Sequence, residues 1–107
     1  MFSTIGFIGC GNMGSAVARA VRKVDPVTRM YFANRSPEKA RALAEELNGL
    51  PADNVQVARE CDLIFLGVKP QIVDSVLNEL APVLARREER FVLVTMAAGR
   101  TDRTSVV

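Results

Sequence analysis

Gly9–Cys10–Gly11–Asn12–Met13–Gly14 decides how this 107-residue chain is read. Before it runs Thr4–Ile5–Gly6–Phe7–Ile8, short, apolar and β-branched, a pattern that predicts a buried parallel strand. From Asn12 the period becomes helical, with Met13, Val17, Ala20 or Val21, and Val24 on one face and Arg19, Arg22 and Lys23 outside. A GxGxxG match alone is a weak signal. Between a strand and a helix, inside a βαβ unit, it predicts a turn that cradles phosphates. Gly9 lets the chain turn at the strand end, Gly11 leaves the backbone bare for a pyrophosphate, and Gly14 lets the helix pack closely on the sheet. The first N–H groups of the helix, at Asn12 and Met13, then face the phosphates with the helix dipole behind them. The competing reading is a tight glycine turn with no ligand. Cys10 reads as a small filler rather than a reactive thiol, despite its place at a helix start.

Outward from the loop, Asp25–Pro26 ends the first helix, because a residue before proline is pushed out of the α region. Thr28 to Ala33 predicts the second strand, and Ser36–Pro37–Glu38 a helix start with serine as N-cap. Ala40, Leu43, Ala44 and Leu47 form that helix's buried stripe, Arg41 and Glu45 are placed to pair on its wet face, and Asn48–Gly49 stops it. Asn54 to Val57 reads as a brief strand, and Asp62 to Val68, the most apolar run, as a central one. Pro70 opens a helix burying Val73, Val76, Leu77 and Leu80, with Pro82 kinking or restarting it. Phe91 to Met96 is a fifth strand ending at Ala97–Ala98–Gly99, and Arg100 to Val107 is a polar tail. The alternation predicts one α/β domain over residues 1–99, a Rossmann-like doubly wound parallel sheet with strand order 3-2-1-4-5.

Composition narrows the chemistry. With 49% hydrophobic and 24% charged residues, the chain has a core to bury. Fourteen basic against twelve acidic residues, net charge +2, leave no footprint for nucleic acid or a membrane surface. Histidine is absent, which removes His-based triads and most zinc enzymes, and no metal site is expected. Cys10 and Cys61, far apart and without a CxxC pairing, fit reduced thiols of the cytoplasm. Neither a membrane span nor a signal peptide is expected.

About twenty residues past the loop, an NAD site places Asp or Glu on the ribose hydroxyls. Here stands Asn34–Arg35–Ser36. A carboxylate would repel a 2′-phosphate, whereas Arg35 and Ser36 can hydrogen-bond one, so NADP is favoured over NAD. The alternative makes Arg35 a solvated cation and Ser36 merely a helix cap. The missing acid also counts against FAD and S-adenosylmethionine. At the two later strand ends, Val68–Lys69–Pro70 and the small Ala97–Ala98–Gly99 lie where a nicotinamide ring would need room. Lys69 reads equally as a residue over the cofactor or as a solvated loop cation. A short-chain dehydrogenase is excluded, since Tyr31, the only tyrosine, has no lysine four residues later.

Taken together, Ile5 to Gly14, Asn34–Arg35–Ser36, the run Asp62 to Pro70, and Ala97–Ala98–Gly99 resemble the N-terminal domain of the pyrroline-5-carboxylate reductase family, over residues 4–99. The resemblance implies NADPH binding and reduction of the C=N bond of 1-pyrroline-5-carboxylate to L-proline. It also implies pyrophosphate contacts from Gly9 to Gly14, 2′-phosphate contacts at Arg35 and Ser36, an adenosine-side contact at Asn54, and nicotinamide-side contacts at Val68, Lys69, Pro70, Ala97 and Ala98. Family members continue into a helical dimerisation domain with most substrate contacts and a hydroxyl proton donor. Arg100 to Val107 does not resemble that continuation, so the expectation is a cofactor-binding chain with little turnover of its own. A stand-alone NADP-binding module, or the cofactor domain of another imine reductase or of a deazaflavin-dependent NADP reductase, is the alternative. Left as an edge, the fifth strand would invite self-association.

Overall fold

Short apolar runs and amphipathic stretches alternate as β1 (Thr4–Ile8), α1 (Asn12–Val24), β2 (Arg29–Ala33), α2 (Pro37–Leu47), β3 (Leu50–Pro51), α3 (Asn54–Glu60), β4 (Leu63–Leu66), α4 (Pro70–Ala85), β5 (Val92–Thr95) and β6 (Thr104–Val106). They are seen in a computed structural model that describes residues 3–95 and 104–106. One sheet runs β3-β2-β1-β4-β5-β6, parallel from β3 to β5, with β6 antiparallel on the far side of β5. The expected order 3-2-1-4-5 is the one that forms.

Both faces are covered where the sheet is parallel, as parallel strands demand. Ile5, Phe7, Met30 and Phe32 point to α1 and α2, while Ile8, Tyr31, Ile64, Leu66 and Leu93 join the core under α3 and α4. At the centre of the first face, Phe7 stands opposite Phe32 and Phe65 and stacks on both, with ring centroids 5.3 and 5.1 Å away. The sheet's other end is tied by Asp62. Its carboxylate accepts from Ser3 N, Ser3 Oγ and Thr4 N at 3.0–3.1 Å. Burial pushes the Asp62 pKa up, but these hydrogen bonds outweigh it and hold the group below its ordinary value.

Several local expectations are corrected. Asn54 to Val57 is not a strand but the start of α3, because the Asp53 carboxylate accepts from Gln56 N at 2.8 Å and caps a helix there. The third strand is Leu50–Pro51 instead, a two-residue edge where proline's missing donor costs little. On α1 the buried residues are Gly14 and Ala18, while Met13 and Val24 are exposed. Gly14 lies against the Gly9 carbonyl, and the expected Val17 and Val21 pack half-buried against the core beside it. The stop at Asn48–Gly49 forms as expected, with Asn48 in the left-handed conformation at φ 57°. Among the described residues the salt bridge on the wet face joins Glu46 to Arg19 of α1, not Arg41 to Glu45. Pro82 sits inside a continuous α4. β5 is not an edge, since β6 pairs along it through Val92, Leu93 and Val94.

Close approach also governs the other face. A Cβ on Gly6 would lie 2.5 Å from Val57 Cγ1 and 2.6 Å from Cys61 Sγ, so α3 rests directly on the β1 backbone. Gly6→Val therefore forces α3 off the sheet, and overpacking of this kind costs roughly 1–3 kcal/mol. Urea unfolding should show a lower midpoint for this variant; an unchanged midpoint would mean that α3 is free to shift.

Candidate functional site

At the carboxyl ends of the parallel strands the chain leaves a cleft of about 1320 Å³. It opens where the connections from β1 and β3 diverge to opposite faces, the switch point at which such sheets bind ligands. Its walls are the glycine loop, the β2–α2 turn, the start of α3 and one side of α4.

The glycine loop is built by two close backbone approaches and one open position. Gly9 adopts φ +96°, and a Cβ there would lie 2.5 Å from the Gly67 carbonyl oxygen after β4. Gly14, one turn into α1, sits against the Gly9 carbonyl so tightly that no Cβ fits. Gly11 differs from both: its φ is −78° and a Cβ would meet nothing within 4 Å, so it borders open cleft. Gly11 is also the N-cap of α1, and no side chain caps the helix. The N–H groups of its first turn are thus left for whatever occupies the cleft.

Seven of the fifteen sequence-predicted residues converge here. Gly9, Gly11, Asn34, Arg35, Asn54, Val68 and Lys69 line the cleft. Asn12 and Met13 are exposed at the start of α1, Gly14 is buried beneath it, and Pro70 is exposed in the first turn of α4. Cys10 is buried, with its thiol donating to Ala33 O at 3.5 Å, and burial pushes its pKa up to about 11. Ser36 holds the N-cap position of α2 without a side-chain cap; its hydroxyl donates to Glu38 Oε1 at 3.2 Å instead. Ala97 and Ala98 lie outside the described residues.

Charge is distributed unevenly around the cleft. Arg35 and Arg41 line it on the α2 side, while Asp53 and Glu79 line it where α3 meets α4. Arg35 is exposed and enters no salt bridge among the described residues. Asn54 Nδ2 donates to Glu79 Oε1 at 3.4 Å across that junction. Arg41 and Glu79 were not found from sequence, because a charged residue on a helix gives no local sign that its helix borders a cleft.

Residues 4–99 match a family model described as "NADP oxidoreductase coenzyme F420-dependent". The chain is 36% identical over 104 residues to a pyrroline-5-carboxylate reductase of Escherichia coli (strain K12), covering 94% of this chain and 38% of that protein. It superposes on a pyrroline-5-carboxylate reductase from Coxiella burnetii with a TM-score of 0.74 at 32% identity, covering 91% of this chain and 36% of that one. A pyrroline carboxylate reductase from Plasmodium falciparum, crystallised with NADP bound, gives 0.67 at 28% identity, covering 88% and 33%. The chain thus spans little more than a third of the length of the relatives it matches.

Two outcomes follow from this geometry. Gly9→Val meets both the Gly67 carbonyl and a positive φ, strain that costs about 1–3 kcal/mol before any clash, whereas Gly11→Val meets neither. Thermal unfolding should therefore separate them, with only the Gly9 variant falling; equal losses would contradict the open space at Gly11. The raised thiol pKa adds a pH effect. An unfolded thiol ionises near its ordinary value of 9.0, so the stability that burial of Cys10 contributes is complete below that pH and declines as pH rises toward 11. Native Cys10 should resist alkylation at pH 8 and react once the chain is unfolded; rapid native labelling would contradict its burial.

Proposed function

The chain belongs to the NADP oxidoreductase, coenzyme F420-dependent, family, and from that membership we propose that it is the NADP(H)-binding part of a pyrroline-5-carboxylate reductase. The observation that carries the reading is Gly11. At the uncapped start of α1, it offers bare backbone beside an open cleft, the feature a pyrophosphate requires.

The residues present fit the group. Gly9 to Gly14 would hold the pyrophosphate, with the first-turn N–H groups of α1 as donors and the helix dipole favouring the negative charge. Arg35, exposed in the cleft and outside any described salt bridge, would pair with the 2′-phosphate. Ser36 can join it by turning its hydroxyl away from Glu38. Arg41, on the same wall, adds positive field. Asn54 would meet the adenosine side, and Val68, Lys69 and Pro70 the nicotinamide side at the end of β4; Ala97 and Ala98 are proposed there as well, from the resemblance. Half-buried Val68 supplies an apolar wall that a flat ring can lie against.

When bound, NADPH supplies a hydride, which in the proposed reaction goes to the carbon of the substrate's C=N bond while the nitrogen takes up a proton. The chain's contribution is to bind, orient and keep water from one side of that exchange. Residues 1–99 are proposed as the dinucleotide-binding unit. 1-Pyrroline-5-carboxylate as the small-molecule substrate and a cytoplasmic setting are part of the same proposal; among the described residues no helix is long and apolar enough to cross a membrane.

Titration calorimetry tests the reading. NADPH should bind more tightly than NADH by about ten- to a hundredfold, the worth of a charge-assisted hydrogen bond of roughly 1.5–3 kcal/mol, and solvent exposure of Arg35 favours the lower figure. Arg35→Ala should remove most of that preference. Equal affinity for the two dinucleotides in the unmodified chain would sink the assignment of the 2′-phosphate site.

A further inference from the structure

Asn34 ends β2 with its side-chain amide committed to the protein on both sides. Its Oδ1 accepts from Cys10 N at 2.8 Å, reaching across to the glycine loop. Its Nδ2 donates to Ser36 O at 3.1 Å, closing a turn with Arg35 at its apex. One amide thus joins two segments that lie 24 residues apart in sequence and both line the cleft. Among the hydrogen bonds of the described residues, no other side chain links the glycine loop to the β2–α2 turn. Resting on the cofactor reading above, we propose that Asn34 is a positioning residue: it holds the glycine loop and the Arg35–Ser36 turn in one register, so that both phosphate-binding halves are formed before a dinucleotide arrives.

The chemistry of the side chain explains why an amide serves here. The link needs an acceptor for Cys10 N–H and a donor for Ser36 O, and a carboxylate supplies only the first. Aspartate would also set a negative charge beside the groups proposed to meet phosphates. Alanine would leave Cys10 N–H without its partner at a half-buried position and free the Arg35 turn. Binding would then have to order both segments, and that cost is what preorganisation removes.

One half serves both dinucleotides and the other only NADPH, which makes the role measurable. The glycine loop is common to NADH and NADPH, whereas Arg35 serves the 2′-phosphate alone. A positioning role therefore weakens both dinucleotides in Asn34→Ala, whereas a direct contact to the 2′-phosphate weakens only NADPH. It also makes Asn34 and Arg35 interdependent, since Arg35 without its closed turn loses much of its contribution.

The experiment is a double-variant calorimetric cycle, read beside amide hydrogen exchange of the free protein. Asn34→Ala should weaken NADH by about fivefold and NADPH by about thirtyfold, Arg35→Ala should weaken NADPH by about tenfold and leave NADH within about twofold, and Arg35→Ala added to Asn34→Ala should cost less than about threefold more. Exchange at Cys10 should quicken by about tenfold in Asn34→Ala while Phe7, in β1, keeps its rate; a merely structural loss would quicken both. If Asn34→Ala does not fold, Asn34→Asp keeps the acceptor, and Cys10 should then stay protected while NADPH affinity falls. Loss of NADPH affinity alone with additive effects, or an unchanged Cys10 rate, would overturn the proposal. Should the unmodified chain bind neither dinucleotide, the cofactor reading fails, and the exchange arm still decides whether Asn34 fixes the loop.

Discussion

The contact on which the rest of the structure depends is the backbone crossing at Gly9. There the chain leaves β1 with φ +96°, against the Gly67 carbonyl after β4 on one side and Gly14 of α1 on the other. Gly67 N donates to Ile8 O at 2.7 Å and Gly9 N donates to Ala33 O at 2.8 Å, so the turn extends the sheet's bonding to its last residue. Three segments meet closer than any side chain allows. That closeness sets α1 down over the end of β1 and brings its uncapped first turn to the mouth of the cleft.

From this crossing the cleft acquires its chemistry in two steps. The open backbone at Gly11 provides donors without bulk, and Arg35 provides charge without a described salt bridge to neutralise it. Neither is sufficient unless the two are held at a fixed separation. The strands that carry them, β1 and β2, are locked in register from Thr4 opposite Arg29 to Ile8 opposite Ala33, with Phe7 stacked on Phe32 between. The Asn34 amide continues that register past the last sheet pair into the loops.

Much of this was legible in the sequence where the signal is local. β1 and its glycines, Asn34–Arg35–Ser36, the apolar run holding β4 and the Pro70 helix start each carry their cause within a few residues. Two misreadings have the same root. Asn54 to Val57 alternates polar and apolar as a strand would, but the Asp53 cap that turns it into α3 precedes the pattern rather than lying in it. Along α1 the large residues suggested a face of which Val17 and Val21 do pack on the core, but Met13 and Val24 are exposed and the fully buried residues are Gly14 and Ala18, which a pattern of apolar bulk does not mark. β6 was illegible for another reason: three residues, Thr104–Val106, become a strand only through pairing with β5. Arg41 and Glu79 join the cleft through tertiary placement alone.

In the proposed complex one dinucleotide lies along the strand ends, from the Arg35 turn over the glycine loop to the end of β4. An NMR titration of the isotope-labelled chain with NADP+ reads this residue by residue. Amide shifts should concentrate at Gly9 to Gly14, Asn34 to Ser36, Asn54 and Val68–Lys69, all saturating together, with the β-strand starts near Asp62 and Phe91 unmoved. Shifts confined to the exposed faces of α1 and α4, or no saturable shift at the glycine loop, would contradict it.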